Sequence, residues 1–154
     1  MGLSEVSTIL WQERHLLEQL VFKLEEQQLL LAAGRTRWLA LAADELDAVM
    51  GDLRAVELLR AIEVDATAVA LGIPAGPSLG DLAAAAPDPW DDLLAQHRAA
   101  LVGELDEVRD RSAHNCDLLG RGEAAVRELL LTTGGRRPGP DGAPVAGLLV
   151  DQAF

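Results

Sequence analysis

Apolar residues recur at alternating spacings of three and four along residues 3–33. The stripe contains Val6, Leu10, Leu17, Leu20, Leu24 and Leu31, with Glu13 and Gln27 at the two remaining positions of the same repeat. A three-four repeat held for nearly four heptads is typical of a long helix that packs one face against other helices. Because such a helix is about 45 Å long, the stripe predicts that the chain folds around a rod.

Two further segments, residues 36–71 and 89–131, carry a similar repeat. In the first, the predicted stripe begins with Leu39, Ala42, Leu46, Val49, Leu53 and Val56, and is carried on after a one-residue shift by Leu59, Ile62, Ala66 and Val69. In the second, the predicted stripe is Trp90, Leu94, His97, Leu101, Val108, Ser112, Asn115, Leu119, Val126 and Leu129. The chain is also rich in Leu and Ala and poor in aromatic residues, which favours helices over sheet.

Breaks in the pattern divide these helices. The stretch LGIPAGPS, residues 71–78, ends the second helix, and Ser78 with Asp81 forms a predicted capping box for a short third helix. We therefore predict an all-α fold, an elongated antiparallel helical hairpin or coiled-coil bundle of three long helices plus one short helix. The predicted helices are 3–33, 36–71, 79–86 and 89–131, within a bundle of residues 1–133. Residues 134–154, which include GGRRPGPDGAPVAG, are predicted to be a flexible linker and a short apolar C-terminal segment.

The net charge of −12 disfavours nucleic acid and anionic membranes as partners. No apolar run approaches the roughly 20 residues that a membrane-spanning helix needs. The single cysteine, Cys116, has no partner for an internal disulfide, which favours a reducing compartment and hence a cytoplasmic location. We interpret Cys116 as a small packing residue.

No motif indicates catalysis. None of the three histidines, His15, His97 and His114, has a Glu three residues before it, as a di-iron helical site requires. A single cysteine is too few for a typical zinc site, and the glycines near residue 134 lack the Lys-Ser/Thr of a phosphate loop. The chain is therefore predicted not to be an enzyme, and no metal or cofactor is predicted.

Two polar residues, Ser112 and Asn115, lie on the predicted inward stripe of the last long helix. They either fix the register between helices or mark the place where the bundle receives a partner. Gly120 and Gly122 follow, and they either weaken the helix or permit a close helix crossing or a hinge.

The chain resembles the FlgN family of flagellar export chaperones. The stretch AVALGIPAGPSLGDLAAAAP is similar to the family's helix end, small-residue turn and short helix. Asn115, Leu118 and Leu119 match the family's Asn-Gly-x-Leu-Leu pattern, with Cys116 in place of the glycine and Ser112 in place of an earlier Asn. The end, PGPDGAPVAGLLVDQA, is similar to the family's terminal segment, with Pro138 at the position of a tyrosine.

The resemblance implies a cytoplasmic chaperone that binds the helical termini of flagellar hook-associated (junction) proteins before type III export, with export apparatus components as further partners. An amphipathic cargo helix would then lie against apolar anchors near the C-terminus. The predicted partner-binding residues are Asn115, Leu118, Leu119, Val126, Leu129 and Leu130, with Leu148, Leu149 and Val150 as a displaceable cover. Alternatively, the C-terminal segment simply completes the bundle. The alternatives are a homodimeric coiled-coil adaptor, dimerising through its first helix, and a regulatory module of another secretion system.

Overall fold

The computed structural model describes residues 2–133, and within this range the chain forms helices and no strand. This confirms the predicted all-α fold. Four α-helices are present: α1 (Leu3–Ala32), α2 (Leu39–Leu71), α3 (Leu79–Ala85) and α4 (Trp90–Thr133), with a 3-10 turn over Thr36–Trp38 before α2. The predicted linker and apolar segment, residues 134–154, lie outside the described residues.

The helix α1 lies between the other two long helices. Hydrogen bonds from Lys23 to Glu45 and from Arg60 to Glu13 show that α2 runs antiparallel to α1. Contacts of Ser7 with His97 and of Leu24 with Asn115 show that α4 runs parallel to α1. Among the described residues, no Cα atoms of α2 and α4 come within 8 Å of each other, so both helices are held by α1.

The core follows the stripe predicted for α1. Val6, Leu10, Glu13, Leu17, Leu20 and Leu24 are all buried, each at most 1% exposed. From α4 the stripe contributes four buried aliphatic side chains at Leu94, Leu101, Leu105 and Val108. Burying a leucine side chain contributes about 1.5–3 kcal/mol, so the α1 stripe makes a large contribution to stability, shared with the buried residues of the other helices.

The short helix α3 begins with the predicted capping box. The Asp81 backbone N–H donates to the Ser78 hydroxyl at 3.1 Å, and the Ser78 backbone N–H donates to the Asp81 carboxylate at 3.0 Å. Leu79 and Leu82 of α3 are buried and join the same core. The helix packs against α4 and closes the end of the bundle where α4 begins.

The second half of α2 is rotated relative to the sequence prediction. Its inward positions continue the repeat from Leu53 through Glu57, Arg60, Val64 and Thr67, all buried. Leu59, Ile62 and Val69 are instead 53%, 59% and 71% exposed, and Ala66 is also exposed, so the predicted one-residue shift is wrong. The inward face simply continues the spacing of the first half of α2, and it places Arg60 against the Glu13 side chain in the stripe of α1 at 2.9 Å.

Candidate partner-binding site on the last helix

The end of α4 projects beyond the rest of the bundle. Side chains of α1 contact α4 residues about 90 positions later, at Ser7 with His97 and at Arg14 with Glu104. Since α1 ends at Ala32, it has no residues beside α4 after about Gly122. The last turns of α4, about 16 Å of helix, therefore lack a neighbouring long helix within the described residues.

The inward stripe of α4 continues along this projecting part. At 100° per residue, Leu119, Val126 and Leu130 lie on the same face of the helix as buried Asn115. Leu118, Leu119 and Leu130 are half-buried, whereas Val126 is 46% exposed and Leu129 is 62% exposed. The structure thus places five of the predicted site residues along one apolar strip, while Leu148, Leu149 and Val150 fall outside the described residues.

Asn115 joins α4 to α1 just before this strip. Its Nδ2 donates to the Leu24 carbonyl oxygen at 2.8 Å and to the Gln27 Oε1 at 3.0 Å, and the side chain is 2% exposed. This geometry favours the first interpretation of the polar pair, in which the amide fixes the register of two helices. Ser112 is half-buried beside it. A direct contact of Asn115 with a partner remains a prediction.

Cys116, Gly120 and Gly122 lie near the strip, and the structure tests how the sequence analysis interpreted them. Cys116 is exposed, so its assignment as a packing residue is wrong. Gly120 and Gly122 are exposed, and a Cβ built on either meets nothing within 4 Å. The close helix crossing considered for them is therefore not formed by the described residues, and α4 continues through both glycines as helix.

A second apolar surface lies at the same end of the bundle. A groove of about 200 Å³ is lined by Leu30, Trp38, Leu41 and Ala42, with Glu26 and Glu45 at its edge. Trp38 is 44% exposed and lies under the Arg37 guanidinium, 4.4 Å from the ring centroid. Sequence reasoning missed this groove, although a tryptophan in the polar turn GRTRW was the available signal.

The bundle interior away from the strip contains buried charges. The Arg60 guanidinium donates to both oxygens of the Glu13 carboxylate, at 2.9 and 3.0 Å, and both side chains are buried. Glu57 lies in the same interior, and neither of its carboxylate oxygens has a hydrogen-bond partner among residues 2–133. Burial raises the pKa of Glu13 from 4.5 to about 7, against the opposing effect of Arg60, and burial also raises the pKa of Glu57 and of Glu104.

These shifts predict that the free energy of unfolding falls as pH rises. Between 4.5 and about 7 the folded state binds the Glu13 proton more tightly than the unfolded state does. Stability from this group is therefore fully present below about pH 4.5 and is lost as pH rises to about 7. We expect a decline on the order of 1–3 kcal/mol, measured by urea unfolding at a series of pH values.

A Glu13→Gln variant is the matched control for this titration. It retains Glu57, Glu104 and His97, whose pKa is lowered by burial and by Arg14. The difference between the two pH profiles therefore reports the titration of Glu13 together with its electrostatic coupling to Glu57 and Glu104. We expect the variant to show a flatter profile over the same range. Parallel profiles for the two proteins would contradict the assignment of this titration to Glu13.

The described residues contain no group of three or more His, Cys, Asp or Glu side chains positioned to hold a metal ion. No helix among them is long and apolar enough to cross a membrane. The strip on α4 offers apolar side chains, among them Val126 and Leu129, that another polypeptide can bury.

Comparisons with known proteins agree with the resemblance seen in the sequence. The family model described as FlgN protein matches residues 1–137. No curated protein and no solved structure matches the chain.

Proposed function

Because the chain belongs to the FlgN family, a family of flagellar export chaperones rather than enzymes, we propose that it binds the hook-filament junction proteins in the cytoplasm before their export. Membership of the family indicates an export chaperone, whereas the junction proteins as cargo and the cytoplasm as location are part of this proposal. In this function the protein covers an apolar helical terminus of the cargo, and export apparatus components are its further partners.

The observation that supports this function is the apolar strip at the end of α4, which the described residues leave without a neighbouring long helix. The strip continues the face that α1 covers elsewhere, so a cargo helix can occupy the place that α1 leaves empty after Ala32. Leu119, Val126 and Leu130 present apolar side chains along this face, which is the spacing that helix-in-groove recognition uses. Exposed apolar surface of this kind is typical of a protein interaction site.

The alternative of an adaptor that dimerises through its first helix has less support. The stripe of α1 from Val6 to Leu24 is buried by α2 and α4 of the same chain. A second copy could reach that stripe only by displacing one of these helices.

The experiment replaces two residues of the strip with charged ones. We expect Val126→Asp with Leu129→Asp to weaken binding to purified junction proteins from the same genome at least tenfold, measured by isothermal titration calorimetry. Each apolar side chain contributes about 1.5–3 kcal/mol when buried, and about 1.4 kcal/mol corresponds to a tenfold change in affinity. Helical content should stay the same, because both positions are exposed in the free chain.

The matched control is Leu93→Asp with Val102→Asp. These residues lie on α4 within the bundle, and each is 39% exposed. The control should bind junction proteins about as tightly as the unchanged protein. A deletion of residues 134–154 in the same assay tests the C-terminal cover, which should change the affinity if Leu148, Leu149 and Val150 compete with cargo. Equal binding by the strip variant and its control would refute the strip as the cargo site.

A further inference from the structure

The outer face of α2 carries a second heptad repeat, opposite the face that packs on α1. Its members share three properties: they are uncharged, exposed and spaced by three or four residues. They are Ala48, Gly51, Ala55, Leu58, Ile62, Ala66 and Val69. We call this set, with the adjoining Leu59, the outer seam. Leu58 is 64% exposed and Val69 is 71% exposed, so the described chain leaves the outer seam uncovered.

Nothing within the described chain accounts for the composition of the outer seam. Gly51 lies in the middle of α2, where glycine is less favourable than alanine, and a Cβ built there meets nothing within 4 Å. A helix with apolar residues on two opposite faces is typical of a helix packed on both sides. The seam therefore points to a second helix that approaches α2 closely at Gly51.

We infer that the outer seam binds the outer seam of a second copy of this chain, antiparallel, with a two-fold axis between Leu58 and Leu59. In this register two kinds of facing pair match an alanine with a larger residue, the small residues Gly51 and Ala66 face each other, and leucines meet at the axis. Four kinds of facing pair result, Ala48 with Val69, Gly51 with Ala66, Ala55 with Ile62, and Leu58 with Leu59. A parallel two-fold pairing would instead place each residue of the seam against its own copy, so that small residues face small ones and large residues face large ones.

The charges beside the seam give the antiparallel register further support on one flank. Arg54 of one copy lies near Asp65 of the other, and symmetry repeats this attractive pair. A parallel pairing would instead place Arg54 against Arg54. On the other flank Asp52 lies near Glu63 of the second copy, which is repulsive, so added salt should strengthen the dimer.

The size of the seam sets the expected strength of the dimer. Residues 48–69 span about 32 Å of helix, and a helix is about 10 Å wide, so each copy buries roughly 300 Å² before the flanks are counted. This is below the roughly 800 Å² per partner of a standard interface. The net charge of −12 on each copy adds repulsion. The dimer is therefore expected to be weak and to depend on protein concentration.

The inference goes beyond the proposed function and is independent of it. The outer seam faces away from α1, whereas the strip of α4 lies on the other side of α1. Dimerisation through α2 thus leaves the cargo site open. Binding of junction proteins can fail while the dimer is present, and the reverse also holds, so the two experiments give separate answers.

The first test measures mass against concentration by analytical ultracentrifugation in moderate salt. We expect a monomer–dimer equilibrium for the full chain and a dissociation constant at least tenfold higher for Ile62→Glu. Val102→Glu is the matched control, since Val102 is also an exposed β-branched residue in a long helix. Gly51→Leu is a second variant, which should weaken the dimer while it keeps or raises thermal stability, because the free chain has room for the side chain.

The second test measures the register by disulfide formation, in a Cys116→Ser background that removes the native thiol. Disulfides need Cα atoms within about 7 Å, so only facing positions can form one. Ala48→Cys alone and Val69→Cys alone should not cross-link, since each lies about 31 Å along the helix from its own copy. A mixture of the two variants should cross-link. A chain that stays monomeric at all concentrations, a dimer that Ile62→Glu leaves intact, or cross-linking of Ala48→Cys alone would overturn the inference.

Discussion

Replacing Arg60 with methionine is expected to lower the free energy of unfolding by about 3–5 kcal/mol at neutral pH. The variant removes the partner of the Glu13 carboxylate, whose side chain is fully buried between α1 and α2. A carboxylate left in this interior must either remain charged without a partner or take up a proton. Urea unfolding followed by circular dichroism measures the loss.

Two controls separate this mechanism from a general loss of packing. The loss should be smaller near pH 5, because the raised pKa of Glu13 makes protonation easier there. A double variant, Glu13→Leu with Arg60→Met, should recover most of the stability, since apolar pairs often replace buried ion pairs without loss. Recovery should be incomplete because burial raises the pKa of the nearby Glu57 and Arg60 opposes that rise, so Glu57 also loses a favourable interaction. Equal losses at both pH values in the single variant would contradict the electrostatic explanation.

Replacing Leu17 with alanine is expected to lower the free energy of unfolding by about 2–5 kcal/mol. Leu17 is 0% exposed and lies on the helix that contacts both α2 and α4. The substitution removes buried apolar surface and leaves a cavity on that helix. Chemical unfolding of the two proteins under identical conditions measures the difference.

Leu29→Ala is the matched control for this cavity, because Leu29 is in the same helix and is 64% exposed. Its effect should be within about 0.5 kcal/mol, as is usual for surface positions. Similar effects of Leu17→Ala and Leu29→Ala would show that α1 does not hold the bundle together in the way described.

The sequence predicted the helices because each long stripe keeps one spacing over many residues. In α1 the predicted stripe from Val6 to Leu24 is the buried one, and even Glu13 was placed correctly on it. In α2 the prediction failed after Val56, because two faces carry apolar residues at heptad spacing and the more apolar face was chosen. The inward face was the one with Glu57 and Arg60, and the signal for it was the acidic residue Glu13 in the opposing stripe.

The sequence predicted which residues of the candidate site share one face of α4. It did not predict whether that face is exposed. The stripe of α4 showed that Asn115, Leu119 and Val126 share a face. Whether that face is covered depends on the offset between α1 and α4, which the contacts of Ser7 with His97 establish and which no local pattern encodes. The groove at Trp38 depends on the angle of the turn between α1 and α2 and was missed for the same reason.

The central position of α1 has a consequence for how this protein can change over time. Among the described residues α2 and α4 do not approach each other, so substitutions on the outside of one need no compensation on the other. The face on α2 and the strip on α4 can therefore drift or adapt separately, each to its own partner. Substitutions in the buried stripe of α1 have less freedom, because this helix packs against both α2 and α4.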